Sequence, residues 1–130
     1  MRRALVQGRI VRATAPDPQG RNPKNRRWVV VSPNEKILTE NYIVLVGITS
    51  TIDSTFAEEY VEIPYGPGCI TGFDEKSAAH CIWWIETPKN LVQPQRGYLP
   101  PKWLANVLES IKSLGARVIR QRYPLEVDPS

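Results

Sequence analysis

Two apolar runs rich in β-branched residues decide what this chain can fold into. Trp28-Val29-Val30-Val31-Ser32 is uninterrupted until Pro33-Asn34, and Tyr42-Ile43-Val44-Leu45-Val46-Gly47-Ile48-Thr49 is a second run of the same kind. Valine and isoleucine are stiff at χ1 and pack well on a pleated surface. Runs of this length and composition read as buried strands rather than helices. Gly8-Arg9-Ile10-Val11-Arg12-Ala13-Thr14 reads as a strand before them. Between it and Trp28 lies Ala15–Pro23, with three prolines and a glycine in nine residues. That composition forbids helix and central strand and predicts a long, stiffened loop.

Glu59-Tyr60-Val61-Glu62-Ile63-Pro64-Tyr65 alternates as a half-exposed strand does, and Pro64 places it at an edge or a strand end. Gly66-Pro67-Gly68 is a turn, and Ala78–Ile85 is a further strand ended by Thr87-Pro88. After Pro100-Pro101-Lys102, the residues Leu104, Val107, Leu108, Ile111 and Leu114 share one helical face. Gly115 is the expected stop. The pattern therefore predicts a mainly β chain of five short strands and one closing C-terminal helix, folded as a strongly bent sheet or small, partly open barrel. Residues 1–115 form the expected domain and 116–130 a tail.

The chain's 130 residues suit one domain with its own core. A hydrophobic content of 42% and a charged content of 23% exclude disorder over most of its length. No apolar run approaches the about 20 residues of a membrane span. There is no signal peptide, so the expected location is the cytosol, with Cys69 and Cys81 as free thiols. Two cysteines and the single His80 do not supply the four ligands of a zinc site, and no metal or cofactor is expected.

Charge is distributed unevenly. Residues 1–31 hold eight Lys/Arg against Asp17 alone, whereas residues 32–95 hold three Lys/Arg and nine Asp/Glu. This asymmetry points to a face suited to a polyanion. The basic loop before Trp28 brings Arg26 to the start of one strand, and Thr49-Ser50 close the next. A guanidinium and a hydroxyl that meet at one end of a barrel would bind the equatorial oxygens of a phosphoryl group. Arg26, Thr49 and Ser50 are accordingly the candidate catalytic residues. Arg21, Lys24, Arg27 and Lys76 are candidates for contacts to flanking phosphates. His80, on an apolar strand, reads as structural. Most of Trp28, Trp83, Trp84 and Trp103 are expected in the core, with one of Trp83 and Trp84 outside. Residues 53–59 read as an acidic loop.

The ordered set Gly8-Arg9-Ile10-Val11, Pro16 to Pro33, and Gly47-Ile48-Thr49-Ser50 resembles the PemK/MazF family of toxins from toxin–antitoxin pairs. Thr71 to Cys81 is similar to the segment before the last strand of some longer members, and the likeness spans roughly residues 6–114. The resemblance implies an SH3-like barrel of the CcdB/PemK type that forms a homodimer. It also implies a metal-independent endoribonuclease cutting single-stranded RNA, often messenger RNA. Arg26 and Thr49 match the family's conserved Arg and Thr. The implied chemistry is attack of the 2′-hydroxyl on the adjacent phosphorus, which requires RNA. A cognate antitoxin would cover the site. Three positions depart from the family pattern: Arg27 replaces its proline, Arg9 replaces its acid, and the first loop carries no histidine or glutamate. Asp17, Asp74 and Glu75 are the candidates for a base. Two rivals share the barrel, a non-catalytic RNA- or protein-binding module and a gyrase-directed toxin.

Overall fold

The computed structural model describes residues 4–122, with side chains to residue 114. Its strands are β1 (Arg9–Ala15), β2 (Lys24–Val30), β3 (Tyr42–Thr49), β4 (Tyr60–Ile63), β5 (Ser77–Pro88) and β6 (Gln93–Tyr98). A short helix α1 (Asn34–Thr39) joins β2 to β3, and α2 (Pro101–Arg122) closes the chain. All strand pairs are antiparallel, in a single sheet of order β4-β5-β3-β2-β1-β6. The mainly β architecture with a C-terminal helix is as expected, and the sheet does not close.

Four local expectations are corrected. There are six strands, because Gln93–Tyr98 also pairs, alongside β1. Its sequence, with one proline and one glycine, carries no β-branched signal. The strand after the first loop begins at Lys24, not Trp28, so the cations Arg26 and Arg27 belong to a hairpin. Helix α2 runs through Gly115 to Arg122, since a glycine inside a helix costs only about 1 kcal/mol against alanine. Residues 54–59, read as an acidic loop, form two short 3₁₀ turns kinked at Phe56, exposed as far as Glu58 and buried at Glu59. The end of the predicted tail, residues 123–130, lies outside the described residues.

The central strands read as unbroken apolar runs because both faces of the sheet are buried. Along β2 and just beyond it, Val29 and Val31 join one core while Trp28 and Val30 join the other. The first core is completed by α2, which lays Trp103, Leu104, Val107, Ile111 and Leu114 on the sheet. The second lies on the opposite face and includes Ala13, Leu45, Trp83 and Ile37 of α1.

A bulge on β5 lets one strand serve both cores. Val46 pairs with Trp84 but Ile48 pairs with Ala79, so two steps along β3 match five along β5. The extra residues leave both Cys81 and Ile82 on the α2 side and turn Trp83 to the other core. Trp84 then emerges 46% exposed, which bears out the expectation that one of this pair lies outside.

The edges β4 and β6 are not paired, but the β4–β5 connection leans on β6. The Tyr98 amide donates to the Ile70 carbonyl at 3.1 Å. A Cβ on Gly97 would lie 2.1 Å from the Thr71 carbonyl oxygen. Backbone meets backbone there, so no side chain can move aside. Gly97→Ala is expected to destabilise the protein by about 3 kcal/mol or more in urea unfolding, the upper range for overpacking. A loss below about 0.5 kcal/mol, the level of a neutral surface change, would show that this contact is not tight.

Candidate phosphate-binding site

The site is built on Trp83. Its ring occupies the volume a side chain at position 47 would need, with ring carbons 2.0–2.5 Å from a Cβ built on Gly47. Glycine in the middle of a β-branched strand marks such a close approach. Trp28 packs against the same ring, with centroids 4.7 Å apart. The Trp83 indole Nε1 donates to the Pro16 carbonyl at 3.1 Å, tying the proline-rich loop to the floor.

Arg26 lies on this floor, its guanidinium carbon 5.5 Å from the Trp83 ring centroid. Its Nη2 donates to the Asn22 carbonyl at 2.7 Å, with a longer contact of 3.5 Å from Nε to the Ala15 carbonyl. The loop is shaped to present that Asn22 carbonyl. Asp17 accepts from the amides of Gln19 and Arg21 and from the Asn22 side chain. The Asp17 amide and carbonyl pair with Arg21 and Gly20. Gly20 and Asn22 take the left-handed conformation, at φ 79° and 50°, which asparagine tolerates better than most residues.

Thr49 lies at the end of β3. Trp28 pairs with Gly47 and Val29 with Val46. The ladder ends there, with Arg26 two residues before Trp28 and Thr49 two residues past Gly47. The two share a face. Arg26 alternates with Trp28, and Thr49 with Leu45, and both of these belong to the second core. The Thr49 hydroxyl accepts from the Thr51 amide at 3.0 Å and reaches the Thr51 carbonyl at 3.3 Å, which fixes its direction. Ser50 is exposed beside it. A row runs across the sheet from Thr49 to Ala78 and on to Glu62.

The other charged candidates are distributed around this row. Lys24 alternates with Arg26 on the same face and is exposed, and Arg21 is exposed in the loop. Lys76 is ion-paired to Glu62 at 3.0 Å, and this partner raises its pKa. Arg27 points the opposite way, 4.0 Å over the ring of Phe73. Its pKa is lowered, first by burial and then by Arg12, against the opposing pull of Asp74 and Glu75. Those two carboxylates therefore lie close enough to act on Arg27. The Asp17 carboxylate is held below its usual range chiefly by the bond from the Arg21 amide. It is a turn-former and a weak base.

His80 is 6% exposed, bonded through Nε2 to Glu59 Oε1 at 3.0 Å and stacked on Tyr60 at 4.3 Å. This is the structural role expected of it. Glu59 is itself only 4% exposed, so it anchors the end of a segment that is exposed from Asp53 to Glu58. Among the described residues no group of three His, Cys, Asp or Glu is placed to hold a metal ion, and no helix is long and apolar enough to cross a membrane. Sequence reasoning missed Trp83, Gly47 and Asn22 as the parts that hold Arg26, and Glu62 as the carboxylate in the row of Thr49. Gly47 inside a strand was the available signal.

No family model and no curated protein matches this chain in sequence. Its fold is similar to that of an endoribonuclease in complex with its cognate antitoxin from a Mycobacterial species. There the TM-score is 0.68 at 15% identity, over 87% of this chain and 96% of that one. MazF from Deinococcus radiodurans gives a TM-score of 0.68 at 16% identity, over 88% and 98% of the two chains. The Mycobacterium tuberculosis toxin MazF-mt6 gives 0.62 at 16%, over 81% and 95%. The fold is thus that of MazF structures along nearly their whole length.

The loop geometry predicts a pH signature. A carboxylate whose folded pKa is depressed adds stability that is present above its unfolded value, 3.8 for Asp17, and lost as pH falls through the folded value. Asp17→Ala should therefore lower the denaturation midpoint at pH 7, and the gap to the parent should narrow as pH is taken below 3.8. A gap independent of pH would show that the carboxylate charge does not hold the loop.

Proposed function

We propose that this chain is the toxin of a toxin–antitoxin pair, a metal-independent endoribonuclease of the MazF type acting on single-stranded RNA. The observation that supports the reading is that Arg26 and Thr49 alternate with residues of the same core, and so lie on one face, in a fold shared with MazF. One structural neighbour is an endoribonuclease bound to its cognate antitoxin, which supports a cognate antitoxin here. A homodimer belongs to the same proposal.

In the proposed reaction the RNA 2′-oxygen attacks phosphorus and the bond to the 5′-oxygen breaks. A cyclic phosphate and a free 5′-hydroxyl remain. Charge accumulates on the equatorial oxygens, where Arg26 gives two parallel donors and a hydroxyl one more, either Ser50 or Thr49 on releasing the Thr51 carbonyl. Arg26 stays charged throughout, so it stabilises and does not take the proton. Lys24 and Arg21 would hold neighbouring phosphates.

One observation favours a second reading, a non-catalytic RNA-binding module. Asp17 is committed to its turn, and Asp74 and Glu75 attend Arg27. Glu62, in the row of Thr49, is paired with Lys76, and with none of these as base the 2′-proton must leave to solvent. The two readings differ in products. With EDTA present, the parent should cleave single-stranded RNA, and Arg26→Ala should lower the rate by about 100-fold or more with an unchanged circular dichroism spectrum. Salt-dependent binding with no product at any protein concentration would select the binding module. Activity abolished by EDTA would contradict the metal-independent mechanism.

A further inference from the structure

The β1–β2 hairpin carries cations on both faces, and only one of these faces belongs to the site above. On the other face, residues of β1, β2 and β6 form a second row. Arg12 pairs with Arg27 on one side and with Gln93 on the other. Thr14 pairs with Asn25 in the next row toward the hairpin tip. Arg12 and Thr14 alternate with Ile10, and Arg27 and Asn25 with Val29, both in the core beneath α2. All four therefore point to the face opposite Arg26. Thr14, Asn25 and Gln93 are exposed, and the two arginines half-buried.

Like charges directly opposite one another weaken a sheet, and this pair is held in place all the same. Arg27 is clamped over Phe73, which is 2% exposed. Arg12 donates to Asn25 Oδ1 at 3.2 Å. Asp74 and Glu75 lie toward the Arg27 end, and the five side chains of the two rows include no carboxylate. Two guanidinium groups flanked by amides and a hydroxyl present a strip rich in donors and without a carboxylate of its own. Its chemistry matches phosphodiester oxygens and ribose hydroxyls.

We propose that Arg12, Arg27, Asn25 and Gln93 form a second binding site, which takes the phosphodiester backbone of the single strand after it leaves the Arg26 face over the hairpin. The proposal rests on the RNA reading above for the identity of the strand. A second copy of this chain is a poorer occupant, because a two-fold contact would set the arginine pair near itself. An acidic protein segment is the alternative that the poly-glutamate arm of the test separates.

The test uses uncleavable 2′-O-methyl RNA in two lengths, a hexanucleotide and a strand several times longer, bound to the full chain over a range of salt. The parent should bind the longer strand more tightly and with a steeper salt dependence. Arg12→Gln should reduce the affinity for the longer strand about 3-fold to 10-fold and lower its log–log salt slope by about 0.7, the loss of one phosphate contact. Asn25→Asp, an exposed change that places a carboxylate in the strip, should act in the same direction. Arg12→Gln and Asn25→Asp that leave the longer strand's affinity and slope unchanged would overturn the proposal. So would equal losses for both lengths, a change in solution molecular mass, or a poly-glutamate peptide whose binding alone depends on Arg12. Hexanucleotide binding that ignores Arg26→Ala would instead sink the RNA reading of the first site, so the two failures are distinguishable.

Discussion

The Trp83 ring seated on Gly47 is the contact on which the site depends. Burying a tryptophan contributes about 4–6 kcal/mol by area, well above the about 1 kcal/mol net of its hydrogen bond to Pro16. Packing therefore fixes the ring, and the hydrogen bond orients the loop upon it. The ring can reach Gly47 only because the β5 bulge turns Trp83 out of the α2-side core. Once it is there, Arg26 has a flat apolar surface beneath it and a backbone carbonyl at its edge. A long cationic side chain that would otherwise sample many rotamers is held in one place, which is the preorganisation that phosphate chemistry requires.

The loop before β2 serves the same end. Its prolines stiffen it, and Asp17 closes it with bonds from three partners. Asn22 takes a conformation most residues avoid, and its carbonyl is the group that receives Arg26. Local cost at Asn22 is thus tied to the position of the Arg26 guanidinium. Strand alternation then separates the neighbouring arginines. Arg26 turns to the Trp83 side, while Arg27 turns to Phe73 and Arg12. Adjacent in sequence, they serve two different surfaces.

Much of this was legible in the chain. The β-branched runs gave β2 and β3, the spacing of Leu104 to Leu114 gave the packed face of α2, and the basic segment drew attention to Arg26. What was hidden was tertiary. Strand β6 contains Pro94 and Gly97 and is held by pairing with β1 and by close backbone approach rather than by propensity. The start of β2 looked like loop because Lys24–Arg27 are polar, yet their partners in β1 extend the ladder. The bulge that places Trp83 is a register property that no local pattern encodes. The resemblance to the PemK/MazF family pointed to the fold that the structure has. The proposed roles of Arg26 and Thr49 rest on the face they share.

The central claim is that one phosphate sits between Arg26 and Thr49, over the Trp83 floor. A crystal structure of the protein with a short RNA whose reactive 2′-hydroxyl is replaced by hydrogen tests it most directly. The account predicts a phosphodiester group accepting from both the Arg26 guanidinium and the Thr49 or Ser50 hydroxyl, with Arg26 still on Trp83. A strand bound elsewhere, with Arg26 turned away from it, would contradict the account.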